Sequence, residues 1–323
     1  MIKMKKNIEK NLVSVVFPTM NRKEHLIKCI DSLLNGKHKK IEIIISDNGS
    51  TDNSADTIRK MFPEVIIFES DLNLGYAISV NNCIEKSKGE FILRLDDDMI
   101  LEKETISNLL EIITNDSKIG AVSCVNFFTE RPEILRSTGM TINMFTGNTY
   151  IYDRGRKYFG EYEKKLIERE IVPGGSMLVR RKVLEEVGMC SEEYFLTYED
   201  VDLSLKIRDA GYKIFVVGSA KIYHANEGLS QINNNFRIYI KERGRVLLVK
   251  KFGKWKRAFF FPYLFMGIIP VKIIINIKER NFKAIRALIK GVYDAIFNVR
   301  IFVYNKDYKQ IPYLLLNKDK IFK

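Results

Sequence analysis

Five short apolar runs punctuate the first 125 residues: Leu12–Phe17, Ile41–Ser46, Val65–Phe68, Phe91–Leu95 and Ile119–Val125. Helical patterns stand between most of them. Arg22–Asn35 carries Leu26, Ile30, Leu33 and Leu34 on one face and stops at Gly36. A second helix follows a cap at Asp52 or Asn53 and runs to about Phe62, and a third covers Ala77–Lys86. A chain that alternates buried strands with helices has few options. It builds an α/β domain, a Rossmann-like and mostly parallel sheet covered on both faces. In such a sheet, ligands bind beyond the carboxyl ends of the strands.

The polar residues of the chain gather at those ends. Pro18-Thr19-Met20-Asn21-Arg22 follows the first strand, Asp47-Asn48-Gly49 the second, and Asp71-Leu72-Asn73-Leu74-Gly75-Tyr76 precedes the third helix. Each alone reads equally as a strand end, a tight turn or a cap. The run Phe91–Leu95 ends in Asp96, Asp97 and Asp98. Three adjacent carboxylates repel one another, and a divalent cation offsets that repulsion; hard oxygen ligands suit Mg²⁺ or Mn²⁺. Further on, Val172–Val179 reads as a loop with Gly174 and Gly175 entering a buried strand. Tyr198–Gly211 reads as a helix opened by Glu199, Asp200 and Asp202, where carboxylates complement the helix dipole or supply a general base. Lys213–Val217 is a further strand. His224 lies beyond a second short one, among polar residues that suit a metal or phosphate role. The stretch from Asn126 to about Glu170 is less regular and suggests loops and short strands.

Taken in order, these motifs resemble the inverting glycosyltransferases of family 2, with the GT-A fold that binds nucleotide-diphospho-sugars. The likeness is strongest to the rhamnosyl- and galactofuranosyl-transferase-like members, and covers roughly residues 11–230. Val15–Arg22 looks like their first strand and loop, Ile44–Asp52 like the second, and Leu95–Asp98 like their DxD motif. The resemblance implies donor contacts at Pro18, Thr19, Asn21, Arg22, Asp47, Asn48, Asn73, Gly75, Asp96 and Asp97. It implies metal ligation by Asp96, Asp98 and His224, acceptor-side roles for Gly174, Gly175, Glu199 and Asp202, and Asp200 as the catalytic base. Asp97 is a departure, since many members carry another residue there. The implied reaction moves a sugar from a UDP- or dTDP-sugar to a hydroxyl of a glycan or lipid-linked acceptor, with Mn²⁺ or Mg²⁺ as cofactor. A sugar-nucleotidyltransferase would want a glycine-rich phosphate loop after the first strand, where this chain has none. A non-catalytic sugar-binding protein on the same fold is a second alternative beside it; a glycosidase would need two carboxylates flanking the bond and no metal motif.

Charge divides the chain in two. The net charge is +13, yet 20 of the 53 Lys/Arg and only 5 of the 40 Asp/Glu lie in residues 241–323, leaving the first 240 residues close to neutral. A catalytic domain over 1–235, with a nucleotide-sugar half to about 125 and an acceptor half beyond it, and a basic helical region over 236–323 are expected. In the latter, Lys250, Lys251, Lys254, Lys256 and Arg257 precede the apolar run Ala258–Val271. Fourteen residues with two prolines are too short to cross a bilayer, where about 20 are needed. An extension to Ile277 permits a tilted or re-entrant span. Aromatic and basic residues together suit an element at an anionic membrane surface, and the Phe and Ile content argues against nucleic acid. The four scattered cysteines exclude a zinc ribbon or disulfide framework. With no export signal visible, the expected location is the cytoplasmic face of the cell membrane.

Overall fold

The computed structural model of the chain describes residues 7–225, 233–297, 302–304 and 310–312. Asn226 and the end of the basic tail, 313–323, lie outside the described residues. The elements follow in order: β1 (Glu9–Thr19), α1 (Lys23–Leu34), β2 (Ile41–Asp47), α2 (Ser54–Met61), β3 (Ile66–Glu69), α3 (Gly75–Lys86), β4 (Gly89–Leu95), β5 (Met99–Leu101) and α4 (Thr105–Asn115). Then come β6 (Ile119–Phe128), β7 (Arg131–Ser137), β8 (Met140–Asn143), β9 (Asn148–Ile151), β10 (Leu166–Glu168), β11 (Ser176–Arg180), α5 (Arg181–Val187), α6 (Glu199–Asp209) and β12 (Lys213–His224). The chain continues through α7 (Asn234–Phe252), α8 (Arg257–Tyr263), α9 (Ile269–Lys278), α10 (Phe282–Phe297), β13 (Phe302–Tyr304) and β14 (Gln310–Pro312).

Strands β3, β2, β1 and β4 lie side by side and parallel, as the alternating pattern requires. The sheet then departs from uniformity. β11 runs antiparallel between β4 and β6, while β12 returns parallel to β6. The two short strands expected around 213–224 are one strand of 12 residues, with a register shift between Val217 and Lys221 that bends it toward β5. The irregular middle region contributes β7 at the sheet edge and a separate β8–β9 hairpin.

Strand alternation sorts β4 between two cores. Phe91, Leu93 and Leu95 enter the layer beneath α1 and α4, while Ile92 faces the layer of α3, α5 and α6. Arg94 shares the parity of Ile92 and is fully buried.

The C-terminal helix runs beyond the 14-residue apolar stretch at both ends. The two prolines do not end the helix: a π-helical segment over Leu264–Ile268 joins α8 to α9, and the helical stretch Lys254–Lys278 is continuous over 25 residues. At about 1.5 Å per residue it reaches roughly 37 Å. Among the described residues it is the helix long and apolar enough to cross a membrane by length and composition, and 11% of its most apolar window is buried. Helix α7, by contrast, is part of the protein core. Val246, Leu247, Leu248 and Val249 are buried with Tyr194, Tyr198 and Val201, and Gly244 leaves room for the Tyr198 ring.

Candidate active site

The register of the sheet brings strand ends together at one rim. Thr19 pairs with Asp47 across β1 and β2, and Ser176 of β11 pairs with Leu95 of β4. The long β12 does the rest. Its last residue, His224, sits opposite Met99 of β5, and the Ala225 N–H donates to the Asp98 carbonyl at 3.1 Å. A histidine 126 positions away in sequence thereby meets the aspartate motif. His224 Nε2 lies 2.9 Å from Asp98 Oδ1 and 3.9 Å from Asp96 Oδ2. One ligand atom from each of Asp96, Asp98 and His224 falls within 4.8 Å of the others. Two carboxylates and an imidazole converging in this way fit a divalent cation, and the chemistry of the donor set suits Mn²⁺ or Mg²⁺.

The three aspartates are not equivalent. Asp97 points to the first loop: it accepts from Thr19 Oγ1 at 2.8 Å and pairs with Arg22 Nε at 3.2 Å. Burial, aided by the charge of Asp98, outweighs Arg22 and pushes its carboxyl up to about 7. Asp98 is also buried, but the hydrogen bond and charge of His224, with Arg22 and Arg136, hold it below the ordinary carboxylate range. Burial raises Asp96, with the neighbouring Asp98 charge adding to it and His224 opposing.

The donor-side loops are tied to one another. Asn21, with φ of 54°, accepts from the Thr51 N–H at 2.7 Å and donates its own N–H to Ser50 Oγ at 2.9 Å. Pro18 lies within β1 opposite Ser46, so the strand extends two residues past the expected Phe17 end. Asp47 is buried and accepts from the Ser50 N–H; burial raises its carboxyl. Asn48 accepts from Ser79 Oγ of α3 at 2.8 Å. Asn73 accepts from the Gly75 N–H at 3.0 Å. Gly75 begins α3 at φ of 76°, and a Cβ there would lie 2.4 Å from the Phe195 carbonyl oxygen, so only glycine fits.

Across the sheet, Gly174 and Gly175 separate the aspartate cluster from helix α6. A Cβ on Gly175 would sit 2.3 Å from Asp96 Oδ2, and one on Gly174 would sit 2.9 Å from Asp200 Cβ. Asp200 accepts from the Gly174 N–H at 3.2 Å and the Val201 N–H at 2.8 Å. Beneath lies Arg94, whose Nη2 is 3.6 Å from Glu199 Oε1 and whose guanidinium stacks over Tyr76 at 5.3 Å. None of its three nitrogens has a hydrogen-bond partner among the described residues. A buried cation beside two adjacent carboxylates serves as their counter-charge. Burial and the Asp200 charge push Glu199 up to about 8, and burial raises Asp200 against the pull of Arg94. The pair therefore retains a proton at neutral pH.

Asp202 is not brought to this cluster. It is fully buried on another face of α6, where it accepts from Ser191 Oγ at 2.5 Å and from Lys251 Nζ of α7 at 2.6 Å. Two arginines escaped the sequence reading. Arg94 had a signal, a cation at an inward position of a buried strand. Arg136 of β7, whose charge bears on both Asp96 and Asp98, had none, because nothing in its irregular segment marks it as facing the site.

Known proteins carry the same arrangement of chain. The glycosyl transferase family 2 signature matches residues 14–188. An N-acetylglucosaminyl-diphospho-decaprenol L-rhamnosyltransferase of Mycobacterium tuberculosis is 25% identical over 236 residues, covering 66% of this chain and 76% of its own. An uncharacterized glycosyltransferase of Methanocaldococcus jannaschii is 24% identical over 85% of this chain and 96% of its own. Among solved structures, GalNAc-T7 with UDP, GalNAc and Mn²⁺ superposes with a TM-score of 0.63 at 16% identity, covering 77% of this chain and 49% of its own, so the chain spans about half of it. A mannosyltransferase of Pyrobaculum calidifontis in complex with GDP-Man and Mn²⁺ gives 0.54 at 15% identity, over 91% of this chain and 89% of its own. The signature covers more than half of the sequence, and the neighbours share the fold: the chain belongs to glycosyl transferase family 2 and is a glycosyltransferase with the GT-A fold.

Proposed function

We propose that this enzyme transfers a sugar from a UDP- or dTDP-sugar to a hydroxyl of a glycan or lipid-linked acceptor, inverting the anomeric configuration. The observation that carries the reading is the pairing of the Asp96–Asp98–His224 cluster with Asp200 across two glycines whose Cβ atoms would crowd Asp96 and Asp200. Asp96, Asp98 and His224 would hold Mn²⁺ or Mg²⁺, which when bound offsets the charge that gathers on the leaving diphosphate. Arg136 stands beside that charge. Asp200 takes the proton of the acceptor hydroxyl as it attacks the face opposite the leaving group. Arg94 is the buried counter-charge beside Glu199 and Asp200 at the start of the helix. Thr19 and Arg22 brace Asp97, Asn21 braces the second loop, and Asp47 and Asn48 at the end of β2 would meet the nucleotide base. The folded catalytic unit includes α7, since its buried face completes the core around α6. Helix Lys254–Lys278 would hold the enzyme at the cytoplasmic face of the membrane.

The decisive experiment incubates the protein with UDP-, dTDP- and GDP-sugars and candidate acceptors, and follows the anomeric proton by NMR. A product of opposite configuration to the donor is expected with one of the first two nucleotides. Retention of configuration would remove Asp200 as the base of a single displacement. Nucleotide-sugar binding with no transfer to any glycan or lipid-linked acceptor would favour the non-catalytic reading.

The glycine pair offers a further check. In Gly175→Ala the new methyl collides with the Asp96 carboxylate. Mn²⁺ affinity, read by calorimetry, is expected to fall at least about tenfold, or about 1.4 kcal/mol. Unchanged affinity would mean that Asp96 is not held in the cluster.

A further inference from the structure

The β8–β9 hairpin carries Phe145 at its turn. The Phe145 ring meets Trp255 at 5.6 Å and Phe259 at 6.0 Å, both edge-on, and Trp255 meets Phe259 at 5.9 Å. These rings are far from buried: Phe145 is 39% exposed, Trp255 64% and Phe259 58%. Three large aromatics kept together at a water-facing surface leave apolar area uncovered, which a soluble monomer gains nothing by doing. The surface continues along the helix through Tyr263, Met266 and Ile274, all exposed. Cations frame it. Lys256 Nζ lies 5.4 Å over the Phe145 ring, with Lys254 and Arg257 beside it on the same turn of chain. Aromatic rings bordered by lysine and arginine match the interfacial zone of an anionic bilayer, where rings enter the headgroup layer and cations meet lipid phosphate.

The hairpin is joined to the reaction centre. Tyr198 Oη donates to the Gly147 carbonyl, two residues past Phe145, at 3.3 Å. Tyr198 and Thr197 both stand in the left-handed region, with φ of 67° and 68°, and Glu199 and Asp200 follow at once. Gly147 itself has φ of 66°, and a Cβ there would meet Arg245 of α7 at 2.5 Å and Phe260 of α8 at 3.2 Å. Hairpin, α7, α8 and the start of α6 therefore close on one point.

We propose that Phe145, Trp255 and Phe259 form a docking element through which the catalytic domain itself, and not only its C-terminal helices, sits on an anionic lipid surface. The consequence, which rests on Asp200 being the base, is that the acceptor is membrane-borne: its hydroxyl reaches α6 from the lipid side of the β8–β9 hairpin.

Trp255 is the only tryptophan in the chain, so its fluorescence reports this one spot. The full chain is titrated with vesicles of phosphatidylcholine alone and of phosphatidylcholine with phosphatidylglycerol, with emission and co-sedimentation followed together. Anionic vesicles are expected to shift the emission to the blue and to bind the protein, with salt releasing it only in part. Phe145→Ser is expected to weaken binding to these vesicles about tenfold, with the melting temperature and Mn²⁺-dependent nucleotide binding as fold controls. Co-sedimentation with unmoved Trp255 emission, or equal binding by Phe145→Ser, would overturn the proposal, since binding would then lie elsewhere. A lipid-free dimer in light scattering that Phe145→Ser dissociates would overturn it in favour of a second copy. If vesicles bind through Phe145 but transfer occurs only to soluble acceptors, the docking element stands and the membrane-borne acceptor falls.

Discussion

Asp98→Asn is expected to remove metal-dependent nucleotide binding, and sugar transfer with it, while the fold survives. Asp98 contributes to the cluster from the turn between β4 and β5, within hydrogen-bond reach of both His224 and Arg22 at 2.9 Å. The hydrogen bond to His224 and the charge of Arg22 hold its carboxyl below the ordinary carboxylate range despite burial. Asparagine preserves the shape but withdraws the carboxylate charge, and leaves an amide where an anionic oxygen should meet a cation. Calorimetry of UDP and dTDP with and without Mn²⁺ measures the difference. The wild type should gain affinity from Mn²⁺, and the variant should lose that gain by about 10²-fold, within the range seen when the shell around a metal is broken. An equal gain in both proteins would take Asp98 out of the metal site.

Asp200→Asn should lower transfer by about 10²–10⁴-fold, the usual contribution of a general base, with donor binding nearly unchanged because the carboxylate acts on the acceptor. The pH profile sharpens the test. A base must be ionised to work, and burial raises the Asp200 carboxyl from its ordinary value near 4. Activity should therefore rise with pH through a limb above the usual carboxylate range, and Asp200→Asn should abolish that limb. Asp202→Asn is the comparison. It loses charge in a buried pair with Lys251, so it should cost about 1–3 kcal/mol of stability and leave the limb in place. An inactive Asp202→Asn beside an active Asp200→Asn would show that the base is the wrong carboxylate.

The contrast between Asp200 and Asp202 marks the boundary of what a sequence can say. Both stand in the first turn of one helix, and both fit an acidic N-terminus equally well. Two positions along a helix turn a side chain by about 200°, enough to face one carboxylate to Gly174 and the other to Lys251. Only the neighbours distinguish them. The same holds for the prolines at 262 and 270: local rules end a helix there, and the π-helical segment between them carries it on. Arg136 was invisible because its segment has no period that assigns a face.

Sequence alone determined the parallel core of the sheet, because apolar runs separated by amphipathic helices can bury their surfaces in few other ways. It also determined which polar loops line the rim, since every such loop follows a strand end, and it located the basic, apolar C-terminal region. Tertiary structure decided everything that depends on long-range pairing. The antiparallel β11 placed Gly174 and Gly175 between the aspartates and α6, and the bend in β12 brought His224 to Asp98. The fold of α8 over the β8–β9 hairpin gathered Phe145, Trp255 and Phe259 into one surface. Such contacts join residues far apart in the chain, His224 to Asp98 and Phe145 to Trp255 among them, and no local propensity encodes them; they follow from which strand finds which edge once the core has formed.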